Sequence, residues 1–350
     1  MITVKLKKEY ISLFAVICCS LLIFIYPDIV KKGITNGLII CFNSIIPSLF
    51  PFMVISSYII KADILSPVYR LTSPLTRFLF RQPECVTPVF FLSMIGGFPI
   101  GLKMVSALYD SGKITEKQAE RLSFFCMNAG PSFVITVLGV NLFKSAKAGI
   151  IIYSSLCLSS VLLGILSRFS DSGEKEEGKN IKKQLSPSSL ASSVSDGLQG
   201  ILNICAWIVL FSALTSFTDH LPLSKNLNSV FTCILEISNG CISSVGVLPL
   251  PFFAFFMGFG GICVHCQILG YIKNCKIRYG KFFIFRIING ILSAVITYIL
   301  LIFFPVEINV FTSTSEIVPV SFSVSLPTFI MLVVMCVIMI FDIDRKRKVC

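Results

Sequence analysis

Charge is what this sequence has least of. Only 14% of its 350 residues are Asp, Glu, Lys or Arg, where an average soluble domain carries roughly 25%. So few charges cannot keep 55% hydrophobic residues in water, which excludes a soluble enzyme or binding module. Histidine occurs twice, and no HExxH helix, paired Asp or Ser/Lys set is apparent in the apolar runs, so a membrane-embedded enzyme lacks its chemistry. There is no P-loop signature, and ATP drive would need a partner. We therefore expect no enzyme and no cofactor. The 14 cysteines are no disulfide framework, because most lie inside apolar runs, where a thiol packs as a small hydrophobe. Cys263, His265 and Cys266 cluster without a second ligand pair elsewhere, and helix packing is preferred over a metal site.

What the sequence has is long uncharged runs: Tyr10–Pro27, Gly33–Ile60, Leu122–Phe143, Ala148–Ser167, Gly197–Thr218, Ile287–Val306 and Ile317–Phe341. Each is near or above the roughly 18–20 residues that cross a hydrocarbon core as a helix. Ile237–Ile272 carries no formal charge over 36 residues. The first run is long for a signal core, and Tyr26-Pro27-Asp28 is no small-residue cleavage site, so it is read as a retained span. The expected class is an all-α polytopic membrane protein in contact with lipid. The net charge of +12 belongs to short loops between spans, and no nucleic acid partner is implied.

Residues 170–192 are charged, then Ser-rich, and read as a solvated linker between two membrane halves. A basic stretch, Lys61–Arg81, looks interfacial, and Glu307–Ser325 is polar. This divides the chain into an N-terminal span (1–32), a first repeat with its following span (33–169), the linker (170–192), a second repeat (193–281), and two C-terminal spans with a basic tail (282–350). The halves echo each other: SFFCMNAGPSF (Ser123–Phe133) aligns without gaps to AFFMGFGGICV (Ala254–Val264), and each is preceded by another broken helix, at Met94–Gly101 and at Glu236–Cys241. Repeats with Gly/Pro-interrupted segments at matching positions are the signature of a secondary transporter. With both termini and the linker inside, inside segments hold 23 Lys and Arg against five outside, the bias that the positive-inside rule requires. This orientation treats Val86–Tyr109 as a re-entrant hairpin; a full crossing there would reverse everything after it.

The breaks carry the candidate site. Val86–Ile95 and Ile100–Tyr109 are each about half a core thick, hinged at Gly96, Gly97, Phe98 and Pro99. Asp110–Arg121 is an aqueous helix start, with Thr115 and Gln118 as a capping box. The next span breaks at Asn128, Ala129, Gly130 and Pro131, because Pro131 lacks an N–H; freed backbone groups persist in a membrane only against protein or a wet cavity. Gly97 and Pro131 are expected to serve function more than folding. Lys103 and Glu236 are ionisable groups beside breaks, the default functional hypothesis, and are expected to face each other across the repeat interface. Half-helix N-termini near Ile100 and Pro131 favour an anion. Asn128, Ser132 and Asn239 are candidate hydrogen-bonders, Gly260 and Gly261 mark the fourth break, His265 is a proton-binding candidate, and Phe98, Phe133 and Phe259 are candidates to stack on a planar ring.

PSLFPF (Pro47–Phe52), GGFPIGLK (Gly96–Lys103), the helix opening at DSGKIT and CMNAGPSF (Cys126–Phe133) together resemble the YlbJ-like sporulation integral membrane proteins. That family carries the Gate domain, shared with bacterial nucleoside transporters, spore maturation proteins and the ferrous iron permease. The likeness covers roughly residues 35–300. It implies two inverted Gate-type repeats, a place in the outer forespore membrane of the mother cell, and movement of dipicolinic acid toward the spore. Cys126-Met127-Asn128 departs from it where two consecutive Asn are expected. A nucleoside permease and a non-transporting scaffold for spore envelope formation are the rival readings. A homo-oligomer and sporulation protein partners are left open.

Overall fold

Uncharged runs of this length satisfy their backbone polar groups internally, as helices. The computed structural model describes residues 17, 20–21, 23–62, 73–74, 76–170, 189–271, 275 and 277–306. Most of Tyr10–Pro27 and of Lys61–Arg81, residues 171–188 of the linker, Glu307–Ser325, Ile317–Phe341 and the basic tail lie outside them. Among the described residues five helices are long and apolar enough to cross a membrane, Pro27–Ile59, Ala146–Ser167, Leu190–Thr215, Leu250–Tyr271 and Tyr279–Phe303, and there is no strand. Helix faces are inverted relative to a soluble protein. Leu158, Leu162 and Leu166, with Ile284, Ile291, Val295 and Ile302, are exposed, whereas Ser155, Ser159, Asn289, Ser293 and Thr297 are buried. Lipid solvates the first set, and helix–helix hydrogen bonds satisfy the second. The chain is an all-α polytopic membrane protein.

The first half runs α1 (Pro27–Ile40), a π-turn at Cys41–Ile45, α2 (Ile46–Ala62), α3 (Thr87–Gly96), α4 (Ile100–Asp110), α5 (Glu116–Phe125), a π-helical segment (Ser132–Leu142) and α6 (Ala146–Ser167). The second half runs α7 (Ser189–Thr215), α8 (Lys225–Leu235), α9 (Ile237–Ser244), α10 (Leu250–Phe259), α11 (Gly261–Tyr271) and α12 (Tyr279–Phe303). An order of long helix, helix pair, broken span and long helix thus occurs in each half. The Thr115 cap forms as the spacing predicts, with Thr115 and Gln118 exchanging both bonds of a capping box.

α3 and α4 form a hairpin. Cys85, before α3, lies with its Sγ 3.8 Å from the Lys113 carbonyl oxygen, just after α4, so the two ends of 86–109 lie together. α8 and α9 fold back likewise: Cys233 Sγ is 3.4 Å from Ser244 Oγ, and a Cβ on Gly240 would collide with the Cys233 backbone. Within the segment Glu236–Cys241 that the sequence marks as broken, the break is at the first residue and not at Asn239-Gly240. It falls at Glu236, which is extended at φ −142°, while Asn239 and Gly240 are helical within α9. Glu236 ends one helix and caps the next, so the chain turns one residue before the small residues that let the arms touch.

Contacts at the span ends fix relative directions. The Phe143 ring, after the π-helical segment, packs on Phe253 near the start of α10 at 4.8 Å, and Glu120 near the start of α5 binds Arg278 after α11. The broken spans α5–π and α10–α11 therefore run antiparallel. α6 and α12 are also antiparallel, since Lys147 at the start of α6 donates to the Pro305 carbonyl beyond α12 at 2.9 Å.

Candidate functional site

Four breaks in the described residues meet at one place. Gly97 packs on the backbone of Gly130, where an added Cβ would lie 2.9 Å from the Gly130 nitrogen. Gly97 has φ +76° and ψ −177°, a region that is essentially glycine-only. It is thus a folding requirement as well as a candidate site residue, which corrects the expectation that it serves function more than folding. Gly260 and Gly261 have φ +97° and +68°. A Cβ on Gly260 would meet Met127 Cε at 3.1 Å and Phe98 at 3.7 Å, and one on Gly261 would meet the Ile237 nitrogen at 3.6 Å. Glycine lets the breaks pair at backbone distance, Gly97 with Gly130 and Gly261 with the Cys233–Ile237 turn, while Gly260 meets the Met127 and Phe98 side chains of the first pair.

Between them is a cavity of about 50 Å³, lined by Ser48 and Leu49 of α2, Phe98, Ala129, Gly130, Phe133, Ile204 and Ile208 of α7, Glu236 to Ser238, Met257, Val264 and Gln267. At roughly 10–15 Å³ each it holds a few waters; a small-molecule site takes roughly 300 Å³ or more. In this arrangement the cavity is too small for a dicarboxylate.

Glu236 is the one charged side chain among the cavity's lining residues and is 1% exposed. Its Oε1 accepts from the Ser238 N–H at 2.9 Å, and its Oε2 accepts from the Asn239 N–H at 2.7 Å and Asn239 Nδ2 at 2.9 Å. Asn239 Nδ2 also donates to Ser212 Oγ on α7 at 2.6 Å, tying the hairpin to that helix. Lys103 does not meet Glu236, contrary to expectation. Its Nζ donates to the Asp196 carbonyl oxygen on α7 at 3.2 Å, because α4 presents that face to α7 rather than to the cavity. Gly96 and Pro99 sit at the first hinge behind Phe98, which lines the cavity with Phe133. Phe259 instead packs on His265 at 4.8 Å, and the His265 ring also meets Phe282 at 5.6 Å. His265, Phe259, Pro131 and Ser132 are thus not cavity-lining.

The sequence reading places Arg286 within a span and gives it no role, whereas the structure puts it at the centre. Arg286 of α12 is 0% exposed. Its Nη1 donates to the Met127 carbonyl at 2.8 Å, its Nε to the Phe259 carbonyl at 3.3 Å, and its Nη2 to the Gly258 carbonyl. It caps the C-terminal ends of α5 and α10 together. Each end carries roughly half a negative charge, so one guanidinium balances two helix termini, one from each half. Around it Asn289 Nδ2 donates to Gly258 O at 3.1 Å, Ser159 Oγ to Asn289 Oδ1 at 2.8 Å, and Ser160 Oγ to Asn128 Oδ1 at 2.5 Å. Asn128 also donates to the Phe125 carbonyl at 3.2 Å. It therefore finishes the end of α5 and binds α6, rather than facing the cavity. The available signal was a single Arg at the edge of the uncharged run Ile287–Val306, an ionisable group within a span.

Away from the cavity, Glu120 and Arg278 join the halves. Arg278 Nε and Nη2 donate to the two Glu120 oxygens, each at 2.7 Å. The bound guanidinium holds the Glu120 carboxyl below its usual range, against a smaller opposing effect of burial. A depressed carboxylate contributes stability above its unfolded value of about 4.3, and that stability is lost as pH falls through the lower folded value. Glu120→Gln is expected to flatten this part of the stability profile while leaving the neutral-pH fold intact. Melting curves in detergent between neutral and acidic pH check this, and a wild-type profile in the variant would refute it.

The chain matches no family model and no solved structure. It is similar to the Sporulation integral membrane protein YlbJ of Bacillus subtilis (strain 168), 26% identical over 322 residues, which cover 79% of this chain and 78% of that protein.

Proposed function

We propose that this integral membrane protein is a sporulation-associated transporter of a small anionic solute, built of two inverted Gate-type repeats. By resemblance the solute is dipicolinic acid, moved from mother cell toward forespore through the outer forespore membrane. The observation that carries the reading is the convergence of four helix breaks on one small cavity, with broken spans that run antiparallel. Broken helices that meet at membrane depth in antiparallel pairs are the architecture of alternating access. A scaffold has no use for glycine-only hinges and a buried carboxylate at such a point. The similarity to YlbJ, a sporulation integral membrane protein by name, supports the cellular role. Phe98, just before the helix that begins at Ile100, and Gly130, just before the π-helical segment, line the cavity, and helix N-termini favour an anion. The bias of Lys and Arg supports cytoplasmic termini.

Because the cavity is far smaller than a dicarboxylate site, binding requires the halves to part, and the Glu120–Arg278 pair lies where an opening toward the cytoplasm would separate them. The purified full chain in liposomes is expected to take up labelled dipicolinate faster than protein-free liposomes and faster than labelled nucleosides. Faster nucleoside uptake would favour the permease reading. Folded protein that moves neither would leave the scaffold reading.

A further inference from the structure

An anion entering this cavity meets a carboxylate. Glu236 is its only charged lining side chain among the described residues. Two cations near the breaks are directed elsewhere, Lys103 Nζ to the Asp196 carbonyl on α7 and Arg286 to the carbonyls of Met127, Gly258 and Phe259. The titratable groups around Glu236 are thiols: Cys41 on the π-turn, with Cys205 of α7 beside it, Cys233 on α8, Cys241 on α9 and Cys263 on α11. None of these supplies positive charge, and His265 on α11 is packed among Phe259 and Phe282. With no cation there to neutralise it, an ionised Glu236 repels an anionic solute, and the repulsion is strong in a site of low dielectric.

We propose that Glu236 binds a proton together with the solute, so that the transporter carries an anion only as a proton–solute pair. This rests on the anionic-transport reading above and names its coupling ion. In the empty cavity the carboxylate oxygens accept from three N–H donors of Ser238 and Asn239. Oε2 already accepts two of them and Oε1 accepts one, so Oε1 is the oxygen with room for a proton. When the anion arrives, Oε1 takes a proton from the open side, the like-charge repulsion is removed, and the now neutral acid can donate to the solute. After the halves switch, solute and proton leave on the opposite side and the carboxylate returns to its N–H donors. Such a site does not depend on ion gradients other than that of protons.

The test uses the full-length protein in liposomes that contain a pH-sensitive dye, with labelled dipicolinate as the probe. In wild type, dipicolinate entry is expected to acidify the lumen, and an acid-outside gradient to raise initial uptake at least tenfold over equal pH. In Glu236→Gln the ratio of gradient-driven to equal-pH uptake is expected to fall to about one. In Glu236→Asp the gradient response is expected to persist with a displaced pH midpoint. Wild-type uptake without proton movement overturns the inference and leaves the transport reading intact. A tenfold gradient response in Glu236→Gln also overturns it. Should Glu236→Gln fail to fold or to transport, a Glu236→Asp midpoint identical to wild type overturns it. Wild type that neither takes up nor exchanges dipicolinate overturns the transport reading first.

Discussion

Arg286→Met is expected to destabilise the folded protein by about 3–5 kcal/mol, the scale for removing one member of a buried charged network. Methionine fills much of the same volume, so the loss is not a cavity effect. It comes from the carbonyls of Met127, Gly258 and Phe259, which all accept from this guanidinium and have no water to turn to. Asn289 still reaches Gly258, so the other two are left unsatisfied, each at a cost of roughly 1–3 kcal/mol. Arg286→Lys is expected to recover only part of the loss, because a compact ammonium cannot span three acceptors at two helix ends as a planar fork does. Thermal melts of purified protein in detergent, with the folded fraction by gel filtration, measure the effect. A melting temperature unchanged in Arg286→Met would show that the two helix ends need no cation.

How far the sequence shows this arrangement depends on what each feature rests on. The breaks at Gly97, Gly130 and Gly260 are legible because glycine and proline act on the local backbone, and the hairpin at 86–109 follows from the half-core length of its arms. The same reasoning misplaces the break in the second hairpin. Asn239-Gly240 looks like a turn, but Gly240 is small because α8 packs against it, a contact between separate helices that no local pattern reports. The pairing of Lys103 with Glu236 fails for a related reason. Equivalent sequence positions do not give equivalent side-chain directions, and the face of α4 that carries Lys103 is turned to α7. Arg286 is the largest omission: its three acceptors lie 27 or more residues away along the chain, and two are freed only because the helix stops at Gly260. The polar seam of Ser155, Ser159, Asn289, Ser293 and Thr297 was equally hidden, because a Ser every few residues in an apolar run reads alike on a lipid face and on a helix partner.

Pro131→Ala is expected to leave the amount of folded protein near wild type while lowering solute uptake at least tenfold. Pro131 has helical dihedrals, φ −61° and ψ −33°, and stands at the first position of its helix, where a missing N–H costs nothing. Its effect falls four residues earlier. In a continuous helix the N–H of residue 131 would bond the Met127 carbonyl, and proline removes that donor. The Met127 carbonyl therefore turns to Arg286, at 2.8 Å, and the chain opens across Cys126–Gly130 to place Ala129 and Gly130 on the cavity wall. Alanine restores the donor and lets the helix close through the break, which takes the wall away without emptying any core. Proline and arginine thus form one device, the first freeing a carbonyl and the second holding it. Their substitutions are expected to be non-additive. In Pro131→Ala with Arg286→Met, the restored N–H satisfies one of the carbonyls the arginine leaves, so the double variant is expected to melt higher than the sum of the single losses, by a coupling of about 1–2 kcal/mol. Melting temperatures of the four proteins give that coupling directly. Strict additivity would mean that the Met127 carbonyl is satisfied independently of both residues, and normal uptake by Pro131→Ala would mean that the break is not part of the transport path.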